Sequence, residues 1–114
     1  MDIKVGDILL CKFYFSDLQA SKNRPVLVFK DNLPFNDFVG LPMSSKTLKL
    51  QGDEIIITNQ NLSMGMLPVE SKIMLRKVFV ISKENPIKKY GALNEKSLMD
   101  VKRVFCDYFD CCPE

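Results

Sequence analysis

Apolar and polar positions alternate in short blocks over the first eighty residues. Ile8 to Phe15 (ILLCKFYF) is dense in β-favouring side chains and follows turn chemistry at Gly6-Asp7, which predicts a first strand. The polar, aperiodic segment Ser16 to Asn23 (SDLQASKN) reads as a mobile loop. Pro25 to Phe29 (PVLVF) predicts a second strand, with proline at its start where a missing N–H matters least. A turn at Asp31 to Pro34 leads to a third strand, Phe38 to Met43 (FVGLPM), interrupted by Gly40 and Pro42. After the polar connection Ser44 to Gly52, Glu54 to Thr58 (EIIIT) predicts a fourth strand and Asn59 to Gly65 a loop. Lys72 to Ile81 (KIMLRKVFVI) predicts a fifth, longer one. Short strands spaced by Gly, Pro and Asn fit a small barrel or sandwich better than alternating βαβ units.

The period changes near the carboxyl end. Asn94 can cap a helix whose apolar positions Leu98, Val101, Phe105, Tyr108 and Cys112 step by threes and fours, with Val104 and Phe109 widening the stripe. Such a stripe has to be covered by the sheet. The expected fold is α+β and mainly β, a small antiparallel barrel with one C-terminal helix, and at 114 residues a single domain, 1–114.

Composition narrows the chemistry. There is no histidine, which removes Ser-His-Asp and Cys-His nucleophile systems, histidine-type zinc sites and paired-imidazole RNA cleavage. The apolar runs fall far short of the roughly 20 residues of a membrane helix. Asp2, Lys4 and Asp7 break any hydrophobic leader, so a cytoplasmic location without membrane attachment is expected. Cys11, Cys106, Cys111 and Cys112 form no CxxC knuckle, and they read as reduced thiols, with no metal or other cofactor expected. The formal net charge of +2 hides a basic segment: Lys72 to Arg103 holds nine Lys or Arg against three acids. A charged stretch of this kind suits either a solvated face or a surface that tracks a polyanion.

Two sites are more specific. KNRPVLVF (Lys22 to Phe29) puts Arg24 at the junction of a loop and a strand, with Pro25 stiffening the backbone behind it. LPMSSK (Leu41 to Lys46) ends a strand with two hydroxyls, Ser44 and Ser45, and a cation. If the second strand pairs with the third, Arg24 and Ser44 come to the same rim, where a guanidinium fork with a hydroxyl and a lysine would cradle a phosphate. The same residues also suit a carboxylate partner for Arg24 and a polar turn at Ser44-Ser45. Spacing alone leaves both readings open.

The ordered series GDILLCKF, KNRPVLVF, FNDFVGLPMSSK, LPVESKIMLRKVFVI and IKKYGALNEKSL resembles the MazF/PemK (Kid-type) toxin family of endoribonucleases, from Val5 to about Phe105. The resemblance implies an SH3-like barrel of the CcdB/MazF kind and a type II toxin that cleaves single-stranded RNA without metal. It further implies a homodimer, neutralised by an antitoxin with an acidic, disordered tail. The family's Arg-Pro motif matches Arg24 and its strand-end hydroxyl matches Ser44, the implied catalytic pair. Tyr14, Lys22, Ser45, Lys46, Arg76 and Lys77 are the expected RNA contacts, and Asp17 and Glu70 the carboxylates considered as general base. Three departures stand out: the loop 16–23 lacks the family's Gly-x-Glu, Ser replaces Thr at position 44, and the histidine that assists in some PemK-type members has no counterpart. Competing functions are a gyrase-binding toxin of the CcdB type, whose Trp-Gly-Ile tail has no counterpart in Cys-Cys-Pro-Glu, and a catalytically weak RNA-binding domain on the same scaffold.

Overall fold

The computed structural model describes residues 1–14 and 21–111. The side chains of Tyr14 and Ser21 lie outside that description, as do Phe15, most of the expected loop, Asp17 and Cys112.

Among the described residues eight strands and one α-helix follow in chain order: β1 Asp7–Tyr14, β2 Ser21–Leu33, β3 Asp37–Ser44, β4 Glu54–Ile57, β5 Leu62–Gly65, β6 Ser71–Met74, β7 Phe79–Ser82, β8 Lys88–Leu93 and α1 Glu95–Tyr108. All pairings are antiparallel, in the order β4-β6-β3-β2-β1-β8-β5, with β7 also on β3. The sheet curls into a half-barrel over which the helix packs. No helix among the described residues is long and apolar enough to cross a membrane.

Both faces of the sheet are covered, which explains why Val26, Leu27 and Val28 are buried in succession rather than alternately. Ile8, Leu27, Leu41, Ile73 and Leu93 form the main core with Val101 of α1, and Leu9, Cys11, Val26, Val28 and Phe38 a second one on the opposite face. Asn94 caps α1 by accepting from Ser97 N at 2.8 Å, and Leu98, Val101 and Phe105 pack inward. The covering ends early, however, because Tyr108 and Phe109 remain exposed at the last turn.

Strand β3 carries the topology. Its outer edge pairs first with β7, through Asp37 to Gly40, and then with β6, through Met43 and Ser44. Pro42 sits at the change of partner, where an absent N–H removes no bond from either of those ladders. Gly40 is required by the crossing, since a Cβ there would meet Val26 Cγ1 and Ile81 Cδ1 at 2.5 and 2.8 Å.

Three expectations are corrected. The strand expected over Lys72 to Ile81 is two strands, because Leu75 to Val78 leave the ladder: Leu75 N and Arg76 N bond to Asp53, through its carbonyl and carboxylate respectively. The second strand runs well beyond Pro25 to Phe29, taking in Ser21 to Asn23 of the expected loop and Asp31 to Leu33 of the expected turn. The loop expected at Asn59 to Gly65 contains β5, which pairs with β8, itself unforeseen.

That last pairing depends on two glycines. Gly65 has φ +76 and Gly91 lies directly opposite it, and a Cβ on Gly65 would collide with Tyr90 O and one on Gly91 with Met64 O. Gly65→Ala is expected to cost about 1–3 kcal/mol by forcing β5 off β8, lowering the Tm by roughly 4 °C per kcal/mol. Gly52→Ala, with open space around it, is the matched control and is expected to melt with the wild type in calorimetry.

Candidate functional site

A cleft of about 260 Å³ opens where β2 and β3 run out together. The register explains its contents. Val26 faces Pro42 at the end of the ladder, and Arg24 and Ser44 each lie two residues beyond that pair on their own strands, at the same end of the sheet. On the other side of β2, Arg24 is paired with Cys11 of β1. Lys22, Arg24, Ser44, Ser45 and Lys46 all line the cleft, with Leu10, Pro25, Met43, Pro68, Val69 and Tyr90 among its other walls. Five of the eight residues singled out from sequence are therefore brought together.

Arg24 is half-buried, and no carboxylate among the described residues pairs with it. Ser44 is also half-buried, and its Oγ accepts the Lys46 backbone N–H at 3.1 Å. The hydroxyl thus makes the polar turn that spacing allowed. Accepting that bond fixes the oxygen and leaves its own proton available to an incoming oxygen. A cation and an aimed donor in one cleft suit an oxyanion.

Arg76 and Lys77 are not part of this cleft. The Arg76 guanidinium pairs with Asp53, whose side chain is buried, and its backbone N donates to the same carboxylate at 3.0 Å. Next to this pair, Lys72 Nζ donates to buried Glu54 at 2.8 Å. Lys77 is exposed in the turn between β6 and β7. Glu70 is exposed and does not line the cleft, although Val69 and Ser71 on either side of it do. The Tyr14 side chain and Asp17 lie outside the described residues. The cleft also contains Tyr90, which was not among the residues singled out from sequence. Lys88 Nζ stands 4.9 Å from the centre of its ring, and that pairing was readable only as Lys-x-Tyr in a strand that was itself unforeseen.

The Cys11 thiol, on the strand position that pairs with Arg24, is inert. Burial pushes Cys11 up to about 12, so it stays protonated and offers neither a nucleophile nor a metal ligand at neutral pH.

With this geometry in place, comparison with known proteins decides the family. The profile of the PemK-like, MazF-like toxins of type II toxin-antitoxin systems matches residues 4–109. The chain belongs to this family. No curated protein matches it. Among solved structures, an endoribonuclease in complex with its cognate antitoxin from a mycobacterial species is 10% identical, with TM-score 0.73 and 96% of each chain covered. The Mycobacterium tuberculosis toxin MazF-mt6 is 16% identical, with TM-score 0.70, covering 91% of this chain and 96% of its own. A chain of the MazE-MazF complex of Deinococcus radiodurans is 11% identical, with TM-score 0.73 and coverage of 96% and 97%. At these identities the likeness establishes the MazF-like fold, a mostly β half-barrel with one C-terminal helix.

In this PemK/MazF-like chain buried Glu54, opposite Met74 of β6, sets an acid limit on stability. Burial pushes Glu54 up, but hydrogen bonds from Lys72 and the Gln51 backbone N–H, with the lysine's charge, outweigh it and hold the carboxyl below its ordinary value. A folded value below the unfolded one gives stability that is complete above about pH 4.3 and is lost as pH falls through the folded value. Glu54→Gln is expected to cost about 3 kcal/mol at pH 7 by leaving Lys72 without its counter-ion. The gap should narrow in melts below about pH 4.3, where the unfolded chain takes up the proton that the folded carboxyl resists. A gap that is constant with pH would show that the pair does not govern acid unfolding.

Proposed function

We propose that the chain is the toxin of a type II toxin-antitoxin pair and acts as a sequence-selective endoribonuclease on single-stranded RNA, without a metal. The observation that carries this reading is the meeting, in one cleft, of an Arg24 guanidinium that no described carboxylate neutralises and a Ser44 hydroxyl whose oxygen is fixed by a backbone N–H. The family membership supports it, as do structural neighbours described as endoribonucleases or complexed with antitoxins.

RNA brings its own nucleophile. The 2′-OH loses its proton and its oxygen attacks the adjacent phosphorus, the 5′-oxygen leaves with a proton, and a 2′,3′-cyclic phosphate remains. The protein's work is to hold the strand in line and to stabilise charge on the non-bridging oxygens. Arg24, permanently charged, takes the second task with its planar fork, and Ser44 donates to one of the same oxygens. Lys22, Ser45 and Lys46 hold the neighbouring backbone. In this reading the toxin works as a homodimer, and an antitoxin with an acidic tail competes with RNA for the cleft.

Purified protein with a single-stranded RNA in EDTA tests the proposal. Cleavage leaving cyclic-phosphate ends is expected, together with loss of most activity in Arg24→Lys, because one ammonium cannot replace a bidentate fork. Near wild-type cleavage by that variant would remove Arg24 from the mechanism. Gyrase inhibition without cleavage would support the CcdB-type alternative, and RNA binding alone the weak-binding one.

Ser44→Ala is expected to lower kcat a hundredfold or more, about 3 kcal/mol, with little change in affinity, while Ser44→Thr retains activity. A purely affinity-based loss in Ser44→Ala would mean that the hydroxyl binds the ground state and not the transition state.

A further inference from the structure

Beside the cleft lies a second hollow, of about 470 Å³, lined by Ser45, Lys46, Thr47, Leu48, Lys49 and Lys72. Ser45 and Lys46 line both spaces, so the two adjoin. Its charges are not equivalent. Lys72 is held against Glu54 at 2.8 Å and is neutralised in place. Lys46 and Lys49 are exposed, and neither has a carboxylate partner among the described residues. Between them Leu48 is 100% exposed, and Leu50 follows at 46%. An apolar side chain standing in water between two unneutralised ammonium groups presents a greasy face and an anion site within one short loop. That combination suits a nucleotide: a phosphate contact beside an apolar surface for the face of a base or ribose.

We propose that the loop 45–50 is a second nucleotide subsite. Lys49 takes a phosphate flanking the one held by Arg24, and Leu48 packs on the adjoining base or sugar. The assignment rests on the cleft being an RNA site, and it adds that affinity grows when the strand extends past the scissile linkage. A phosphate contact reads no sequence, so it can be measured without knowing the preferred bases.

The test uses the full chain and random-sequence 2′-O-methyl RNA, which binds but lacks the attacking hydroxyl, in lengths of about three and about twelve nucleotides. Fluorescence anisotropy is followed across a salt series. Lys49→Gln is expected to bind the longer RNA about fivefold more weakly and to reduce the slope of log affinity against log salt by about 0.7, the contribution of one phosphate on a single strand. It should bind the shorter RNA like the wild type. Leu48→Ser is expected to weaken the longer RNA with the slope unchanged. Equal binding of the longer RNA by wild type and Lys49→Gln overturns the subsite, as does a loss of the same size at both lengths. Cleavage of unmodified RNA, measured alongside, separates the two ideas. Cleavage with no length-dependent loss sinks the subsite alone, whereas length-dependent loss without cleavage keeps the subsite and sinks the nuclease.

Discussion

The antiparallel ladder between β2 and β3 is the constraint from which the site follows. Its register is set by Val26, Leu27 and Val28 pairing with Pro42, Leu41 and Gly40, residues buried for reasons of packing. A slip by one residue would turn every side chain to the opposite face and place Arg24 and Ser44 on different sides of the sheet. Gly40 protects that register, because any larger residue would push against Val26 and Ile81. The polar residues of the cleft are thus positioned by apolar ones several residues away, which is why a rigid strand end can hold chemistry that a free loop could not.

Charge is sorted by the same scaffold. The basic segment read from the sequence is not a uniform surface: Arg76 is held by Asp53, Lys72 by Glu54 and Lys89 by Asp7, all three acids being buried. Those cations hold turns and strand ends together. Arg24, Lys22, Lys46 and Lys49 have no carboxylate partners among the described residues, and they gather at one end of β2 and β3. Net charge per segment therefore does not show which cations the fold neutralises. Lys12, Lys30 and Lys77 also have no ion pair among the described residues, so what sets this end of the sheet apart is the gathering of four such cations about adjoining hollows.

The strands β1, β3 and β4 and the capped helix were legible in the sequence because each carries its own local signal: β-branched runs, turn residues before them, and a 3.6-residue period after Asn94. So was the convergence of Lys22, Arg24 and Ser44 to Lys46, since it needs only that consecutive strands pair. The break within Lys72 to Ile81 was not legible, because KIMLRKVFVI contains no Gly, Pro or Asn. Asp53, more than twenty residues earlier in the chain, creates that break by capturing Arg76. β8 was hidden by Lys88 and Lys89, which read as solvated, and by Gly91, whose value lies in the close approach of Gly65 and not in any local propensity. Tyr90 was lost with it.

The cleft is also a place where the fold gives up stability. A half-buried guanidinium without a described counter-ion, against Leu10, Pro25, Met43 and Val69, loses part of its hydration and gains no Coulomb partner in return. Elsewhere this chain neutralises its buried charges, and among the described residues no buried side-chain polar atom lacks a hydrogen bond. A ligand phosphate would supply the missing charge, and Ser44 is already oriented by the Lys46 N–H before that ligand arrives. Donors fixed in advance need no reorganisation as charge develops, and in an apolar setting that is where a hydrogen bond contributes most to lowering a barrier. The departure from structural optimality at Arg24 and the preorganisation at Ser44 are two sides of one arrangement: the protein leaves unsatisfied on its own what an anionic transition state would satisfy.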